Sequence, residues 1–195
     1  LLGLSQPTQG RIYVDGELLG STNLRAWQRA IGYVSQEIFL TDSSVRSNIA
    51  LGLTNEEIDD ISVREAAETA RIDDFVRLEL DQGYDTIVGE RGVRLSGGQR
   101  QRIGIARALY NGGDLILLDE ATSALDNQTE SEVMSAINNL TGEKTIIMIA
   151  HRLSTLRNCD RIFVLDLGEI SQVGSWDTLT QTEGTFKDLL GSIKH

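Results

Sequence analysis

Only one cysteine, Cys159, occurs among 195 residues. A lone thiol excludes an internal disulfide and suits a reducing compartment, where it reads as filler in a core or at a surface. Long apolar runs are also missing. Nothing approaches the ~20 residues needed to cross a bilayer, so no membrane helix is expected. Basic residues are outnumbered 18 to 29, and the resulting net charge of −11 repels nucleic acid and anionic lipid overall. Neither an initiator methionine nor a signal peptide opens the chain. It starts Leu1-Leu2-Gly3-Leu4, like the end of an apolar helix already under way, and we expect a piece of a longer protein. The pattern G-x-x-x-x-G-K-[ST], whose backbone N–H groups cradle phosphates, occurs nowhere. Its nearest approach, Gly142-Glu143-Lys144-Thr145, sets a glutamate between glycine and lysine. The length fits one domain with a sizeable core.

What is present centres on residues 95–126, LSGGQRQRIGIARALYNGGDLILLDEATSALD. Ser96 followed three residues later by Gln99 is a capping-box pattern, so a helix should begin at Gly97. Gly97 and Gly98 leave its first turn without side chains, and unpaired N–H groups at a helix N-terminus attract anions. After Asn111-Gly112-Gly113, the run Leu115-Ile116-Leu117-Leu118 is apolar without alternation, as in a parallel strand covered on both faces. Asp119 and Glu120 follow where that strand ends, the edge at which open α/β sheets bind ligands.

These motifs resemble the ATP-binding cassette (ABC) ATPases. LSGGQ at residues 95–99 looks like their signature, LILLDE at 115–120 like their Walker B strand, and SALD at 123–126 like their D-loop. The resemblance implies an α/β fold of the P-loop NTPase (RecA-like) type: a parallel sheet with an inserted helical lobe and its N-terminal part missing. Residues 1–36 and 109–195 would form an incomplete ATPase core and residues 37–108 the helical signature subdomain. In the family, LLGL-x-x-P-T-x-G follows the phosphate-loop helix, so the missing loop belongs about ten residues before Leu1.

The rest of the chain reads consistently with that frame. Residues 11–19 form two short strands around the turn Asp15-Gly16. Residues 24–29 form a helical turn in which Trp27 packs, and residues 30–34 a strand delivering Gln36, which matches the family's Q-loop. Residues 44–50, 62–70 and 73–80 have helical spacing, with Ile58, Ile61 and Val63 packing beneath. By resemblance this lobe docks on cytoplasmic loops of membrane domains; from the residues alone, Arg46 and Asn48 read as merely solvated. Residues 83–94 form an irregular loop, and Gly-Glu-Arg-Gly at 89–92 resembles the X-loop of exporter-type cassettes. Asp126 or Asn127 caps a helix running to Leu140. Thr145 to Ile149 is a second apolar strand, joined to the first by a right-handed parallel crossover that brings His151 to the edge of Glu120. His151 resembles the family's switch histidine. Residues 161–173 read as a hairpin, followed by two short helices.

ATP hydrolysis needs Mg²⁺ across the phosphates, a positioned water, a base and donors for the developing charge. Asp119 and Gln36 are the expected metal contacts and Glu120 the expected base, with His151 and Gln36 completing the catalytic set. Ser96, Gly97, Gly98, Gln99 and Asp126 are the expected nucleotide contacts, the signature serving a nucleotide held by the opposite subunit. The expected whole is an ATPase subunit fragment of an ABC exporter with ATP and Mg²⁺ as cofactors. Its partners would be a second nucleotide-binding domain and the transmembrane domains, with no nucleic acid, at the cytoplasmic face of the bacterial inner membrane. Residues 136–166 look most like cassettes of lipid-linked oligosaccharide or polysaccharide flippases. Two alternatives stand beside this: a non-catalytic fragment unable to bind ATP alone, and a cassette of a soluble ABC protein.

Overall fold

The computed structural model describes residues 1–122, 124–138, 140, 142–150 and 152–192. They form two compact units, Leu1–Ile149 and Ala150–His195.

The first unit opens irregularly. The Leu1 and Leu2 carbonyls accept hydrogen bonds from Trp27 Nε1 (2.9 Å) and Gln28 Nε2 (3.1 Å). Strands β1 (Tyr13–Val14) and β2 (Glu17–Leu18) pair antiparallel around Asp15 and Gly16. Both turn residues have positive φ, 49° and 84°, as a tight hairpin turn of the right twist requires. Helix α1 (Leu24–Arg29) leads into β3 (Ile31–Val34).

The lobe contributes α2 (Val45–Ile49), α3 (Asp60–Thr69) and α4 (Asp73–Glu79), joined around Val45, Ile49, Val63, Ala67, Ile72 and Val76. Ile58 packs against this core as expected, but Ile61 stays 71% exposed. It is the second residue after the Asp59 cap, in the first turn of α3, and its side chain turns outward. The solvated reading of Asn48 and Arg46 also fails. Asn48 is fully buried, and Arg46 pairs with Asp60 (3.2 Å) and Asp85 (3.4 Å). Two 3₁₀ turns, Gly83–Asp85 and Glu90–Gly92, shape the following loop.

Helix α5 (Gly97–Tyr110) then runs beneath the lobe and over β3. A Cβ on Gly32 would lie 2.4 Å from the Ala108 carbonyl oxygen, so only glycine lets helix and strand approach so closely. Strand β4 (Leu115–Asp119) is central in a parallel sheet of order β3-β4-β5, where β5 is Thr145–Ile149. Ile116 and Leu118 face the main core, while Leu115 and Leu117 face a smaller cluster with Ile31 and Trp27. That alternation explains the unbroken apolar run: both faces of β4 are covered. Strand β5 is likewise apolar but leaves Ile149, its last residue, 54% exposed, and among the described residues it pairs on one side only. Between β4 and β5 lies α6 (Asn127–Asn138).

Among the described residues, the second unit holds a 3₁₀ helix (Leu153–Asn158), a hairpin and two α-helices. Strands β6 (Ile162–Asp166) and β7 (Glu169–Gly174) pair antiparallel. With α7 (Trp176–Gln181) and α8 (Thr185–Ser192) they enclose Ile162, Val164, Leu179 and Phe186. Trp176 and Phe186 meet edge to face with centroids 5.5 Å apart.

Candidate functional site

The parallel sheet sends β3 and β4 in the same direction, so the residues after each strand emerge together. Asp119 is the last residue of β4 and accepts a hydrogen bond on Oδ2 from the Tyr33 hydroxyl of β3 (3.3 Å). Partial burial is the main reason the Tyr33 phenol titrates above its ordinary value; the Asp119 charge and hydrogen bond add to it.

Glu120 has φ 51°, a left-handed backbone that a non-glycine residue adopts only where its surroundings hold it. Three contacts do so. Its N–H donates to the Ile149 carbonyl (3.0 Å), its carbonyl accepts from Gln101 Nε2 (3.2 Å), and Oε2 accepts from Gln36 Nε2 (2.7 Å). The last contact brings two of the expected catalytic side chains together across 84 residues of sequence.

The N-terminus of α5 matches the capping-box pattern. Ser96 Oγ accepts from the Gln99 N–H (3.2 Å) and Gln99 Oε1 accepts from the Ser96 N–H (2.8 Å). Among the described residues, no acceptor takes the Ser96 hydroxyl proton. A Cβ on Gly97 would come no nearer than 3.6 Å to Ala124 Cβ, and one on Gly98 no nearer than 3.4 Å to the Ala124 carbonyl. Those are ordinary contacts, so packing within this chain does not demand glycine at either position. Asp126 caps α6, accepting from the N–H groups of Gln128 (3.1 Å) and Thr129 (3.0 Å) and from the Thr129 hydroxyl (2.6 Å). The Thr129 hydroxyl and N–H hold its carboxyl below the usual carboxylate range. Ser123 and His151 lie outside the described residues.

A cleft of about 600 Å³ separates Gln36 and Glu37 from Arg91, Gly97 and Arg100. Arg100 Nη1 donates to the Leu95 carbonyl (2.7 Å), fixing the end of the loop in which Arg91 holds φ 55°.

Residues 1–123 match the family described as ABC transporter. The chain belongs to the ABC transporter family. It carries that family's ATP-binding domain, and its homologues are exporters. An ABC transporter B family member 28 of Arabidopsis thaliana is 44% identical over 187 residues, 96% of this chain and 26% of the relative. An ATP-dependent lipid A-core flippase of Saccharophagus degradans is 43% identical over 192 residues, 98% of this chain and 32% of the relative. The solved structure of a bacterial Atm1-family ABC exporter with ATP bound superposes with TM-score 0.91 at 39% identity, over 100% of this chain and 34% of that one. The chain thus spans about a third or less of the length of each of these relatives.

Two residues of the cassette's site escaped the sequence reading. Tyr33 lies inside the strand expected at residues 30–34 and was not singled out. Gln101 carried a usable signal: with Ile105 and Ala108 it lies on the stripe of α5 that is 1–2% exposed, where a polar side chain must find partners.

Proposed function

We propose that this cassette hydrolyses ATP to drive an ABC exporter, paired head to tail with a second nucleotide-binding domain beneath transmembrane domains. It would work at the cytoplasmic face of the membrane. The contact between Gln36 Nε2 and Glu120 Oε2, 2.7 Å, carries the reading. A carboxylate placed by a neutral amide donor at a sheet's ligand-binding edge suits taking the proton of an attacking water.

The donors present suit Mg²⁺, which takes one or two carboxylates and completes its shell with water and phosphate oxygens. Asp119 offers the carboxylate at the end of β4 and Gln36 a carboxamide bonded to the neighbouring Glu120, while no cluster of three metal-binding side chains occurs among the described residues. Bound across the phosphates, Mg²⁺ supplies charge neutralisation. Tyr33 orients the Asp119 carboxylate, and the left-handed turn at Glu120 aims the base. Ser96, Gly97 and Gly98 would receive the γ-phosphate of a nucleotide held by the opposite domain. The Ser96 hydroxyl can donate there while its oxygen still caps α5. Gln99 would shape that end through the capping box, and Asp126, at the start of α6, would flank the paired face. His151 keeps its proposed role on the resemblance alone. Residues 37–108 would act as the lobe that receives motion from membrane domains.

The 195 residues by themselves should hydrolyse almost nothing, since no Gly-Lys-Ser or Gly-Lys-Thr cradles the β- and γ-phosphates. The test therefore belongs in a full-length exporter polypeptide carrying this cassette. There Glu120→Gln should cut steady-state phosphate release by at least about 10²-fold and leave ATP binding intact. Turnover near the parent's would remove Glu120 as the base.

A further inference from the structure

We propose that Gln101 is a positioning residue that locks the signature helix to the turn aiming Glu120, an inference resting on the base role proposed above. Gln101 is 2% exposed and uses both ends of its carboxamide. Nε2 donates to the Glu120 carbonyl (3.2 Å), and Oε1 accepts from the Ala124 N–H (2.9 Å). The two contacts bracket the turn from Glu120 to Ala124 and tie both its ends to one side chain on α5.

The turn needs such a tie. A left-handed φ at a glutamate is disfavoured, and an extended or right-handed backbone would swing the carboxylate away from Gln36. The carbonyl that Gln101 holds belongs to Glu120 itself, so the bond acts on the ψ that sets where the chain leaves the base. Gln101 also lies only four residues beyond Gly97, about 6 Å along the axis at 1.5 Å per residue. A phosphate docking at Ser96 and Gly97 therefore presses on the helix turn that holds Glu120 in place. Within one cassette, the signature that serves one nucleotide and the base that serves another are joined by a single buried carboxamide. Gln101 touches no reacting atom. Its effect on hydrolysis runs through Glu120.

The test uses the full-length exporter carrying this cassette. Gln101→Met keeps the length and removes both hydrogen bonds. Gln101→Glu keeps the shape and the acceptor for Ala124, loses the donor to Glu120, and guards against a Met variant that fails to fold. Both should lower kcat by about 10-fold or more with KM for ATP within about twofold, because a small misplacement of a reacting group is costly in rate. Each is then combined with Glu120→Gln and read in single turnover. With the base gone, neither should lower the residual rate more than about twofold. A merely structural role would give the same loss in both backgrounds, and that result overturns the proposal. So does an unchanged kcat in the Met and Glu variants, or a loss confined to KM. If Glu120→Gln alone hydrolyses like the parent, the base assignment fails instead, and the inference goes with it.

Discussion

Asn48→Ala should be among the most damaging single changes in the cassette. Asn48 is fully buried, and its Oδ1 accepts from the Thr41 N–H (2.9 Å) and from Arg107 Nη2 (3.4 Å). Its Nδ2 donates to the carbonyls of Thr41 (3.1 Å) and Ser44 (3.1 Å). Truncation removes these partners at once and strands a buried N–H and a guanidinium N–H. Among the described residues no carboxylate compensates Arg107, whose pKa burial lowers, and it also donates to the carbonyls of Asn48 and Phe39. A stranded buried group costs about 1–3 kcal/mol, so two or more amount to roughly 3–5 kcal/mol. That is a large share of the ~5–15 kcal/mol that holds a typical domain together. For a chain of this size each kcal/mol moves Tm by about 2–4 °C, which puts the expected drop at roughly 10 °C. Thermal melts should rank the parent, Asn48→Asp and Asn48→Ala in order of increasing damage, because Asp keeps the acceptor for Thr41 and Arg107. A drop below about 2 °C for Asn48→Ala would mean that water serves the cluster and the side chain behaves as a surface group.

Three other substitutions probe different terms. Tyr84→Phe removes a donor from Asp73 Oδ1 (2.7 Å), a carboxylate only 6% exposed, and should cost about 1.5–3 kcal/mol at pH 8 by urea denaturation. Burial first, then the bond to Asp73, pushes the Tyr84 phenol up in the folded state. Its contribution is therefore complete below the unfolded value of ~10 and lost as pH rises through the folded one, so the gap between parent and variant should narrow only above pH ~10. Gly32→Ala drives a Cβ to 2.4 Å from a backbone oxygen and should destabilise at the upper end of the ~1–3 kcal/mol typical of overpacking; a neutral melt would refute the close approach. Gly97→Ala meets nothing closer than 3.6 Å, so its melt should stay within about 1 kcal/mol of the parent. In the full-length exporter it should nevertheless cut ATP hydrolysis by about 10-fold; unchanged turnover would remove Gly97 from the phosphate contacts.

The sequence was most informative where one local rule settles the matter. Ser96 and Gln99 cap α5 because that pairing satisfies two N–H groups at once, and β4 forms from residues whose branched and leucyl side chains suit burial on both faces. Asp119, Glu120 and Gln36 converge because parallel strands point one way. What stayed hidden depends on distant partners. Asn48 reads as a surface amide until Thr41 and Arg107 close over it, with Arg107 arriving from 59 residues away. Tyr33 gains its meaning from Asp119, 86 residues on. The left-handed φ at Glu120 has no residue signature at all; it follows from bonds to Gln101 and Ile149 that only the folded sheet supplies.

Helix α5 ties these pieces together, and its consecutive polar residues each hold a different segment. Arg100 grips the Leu95 carbonyl, Gln101 the Glu120 turn, and Arg102 the Arg71 carbonyl (2.6 Å) at the end of α3. One turn further, the missing side chain of Gly104 admits Ile38, whose Cδ1 would lie 2.4 Å from a Cβ there, so the segment after Gln36 seats directly on the helix. Arg107 completes the series by binding the carbonyls of Phe39 and Asn48. Rotating α5 without breaking these bonds carries the base, the Gln36 segment and the lobe helices α2 and α3 with it. Breaking the bonds of Gln101 strands a buried carboxamide at about 1–3 kcal/mol, while the more exposed bonds of Arg102 and of Arg107 Nη1 cost less. A ligand that grips the exposed N-terminus of α5 therefore finds the least costly response in moving the helix and its attachments as one body. On the proposed reading, occupancy at Ser96 and the aim of Glu120 become a single coordinate.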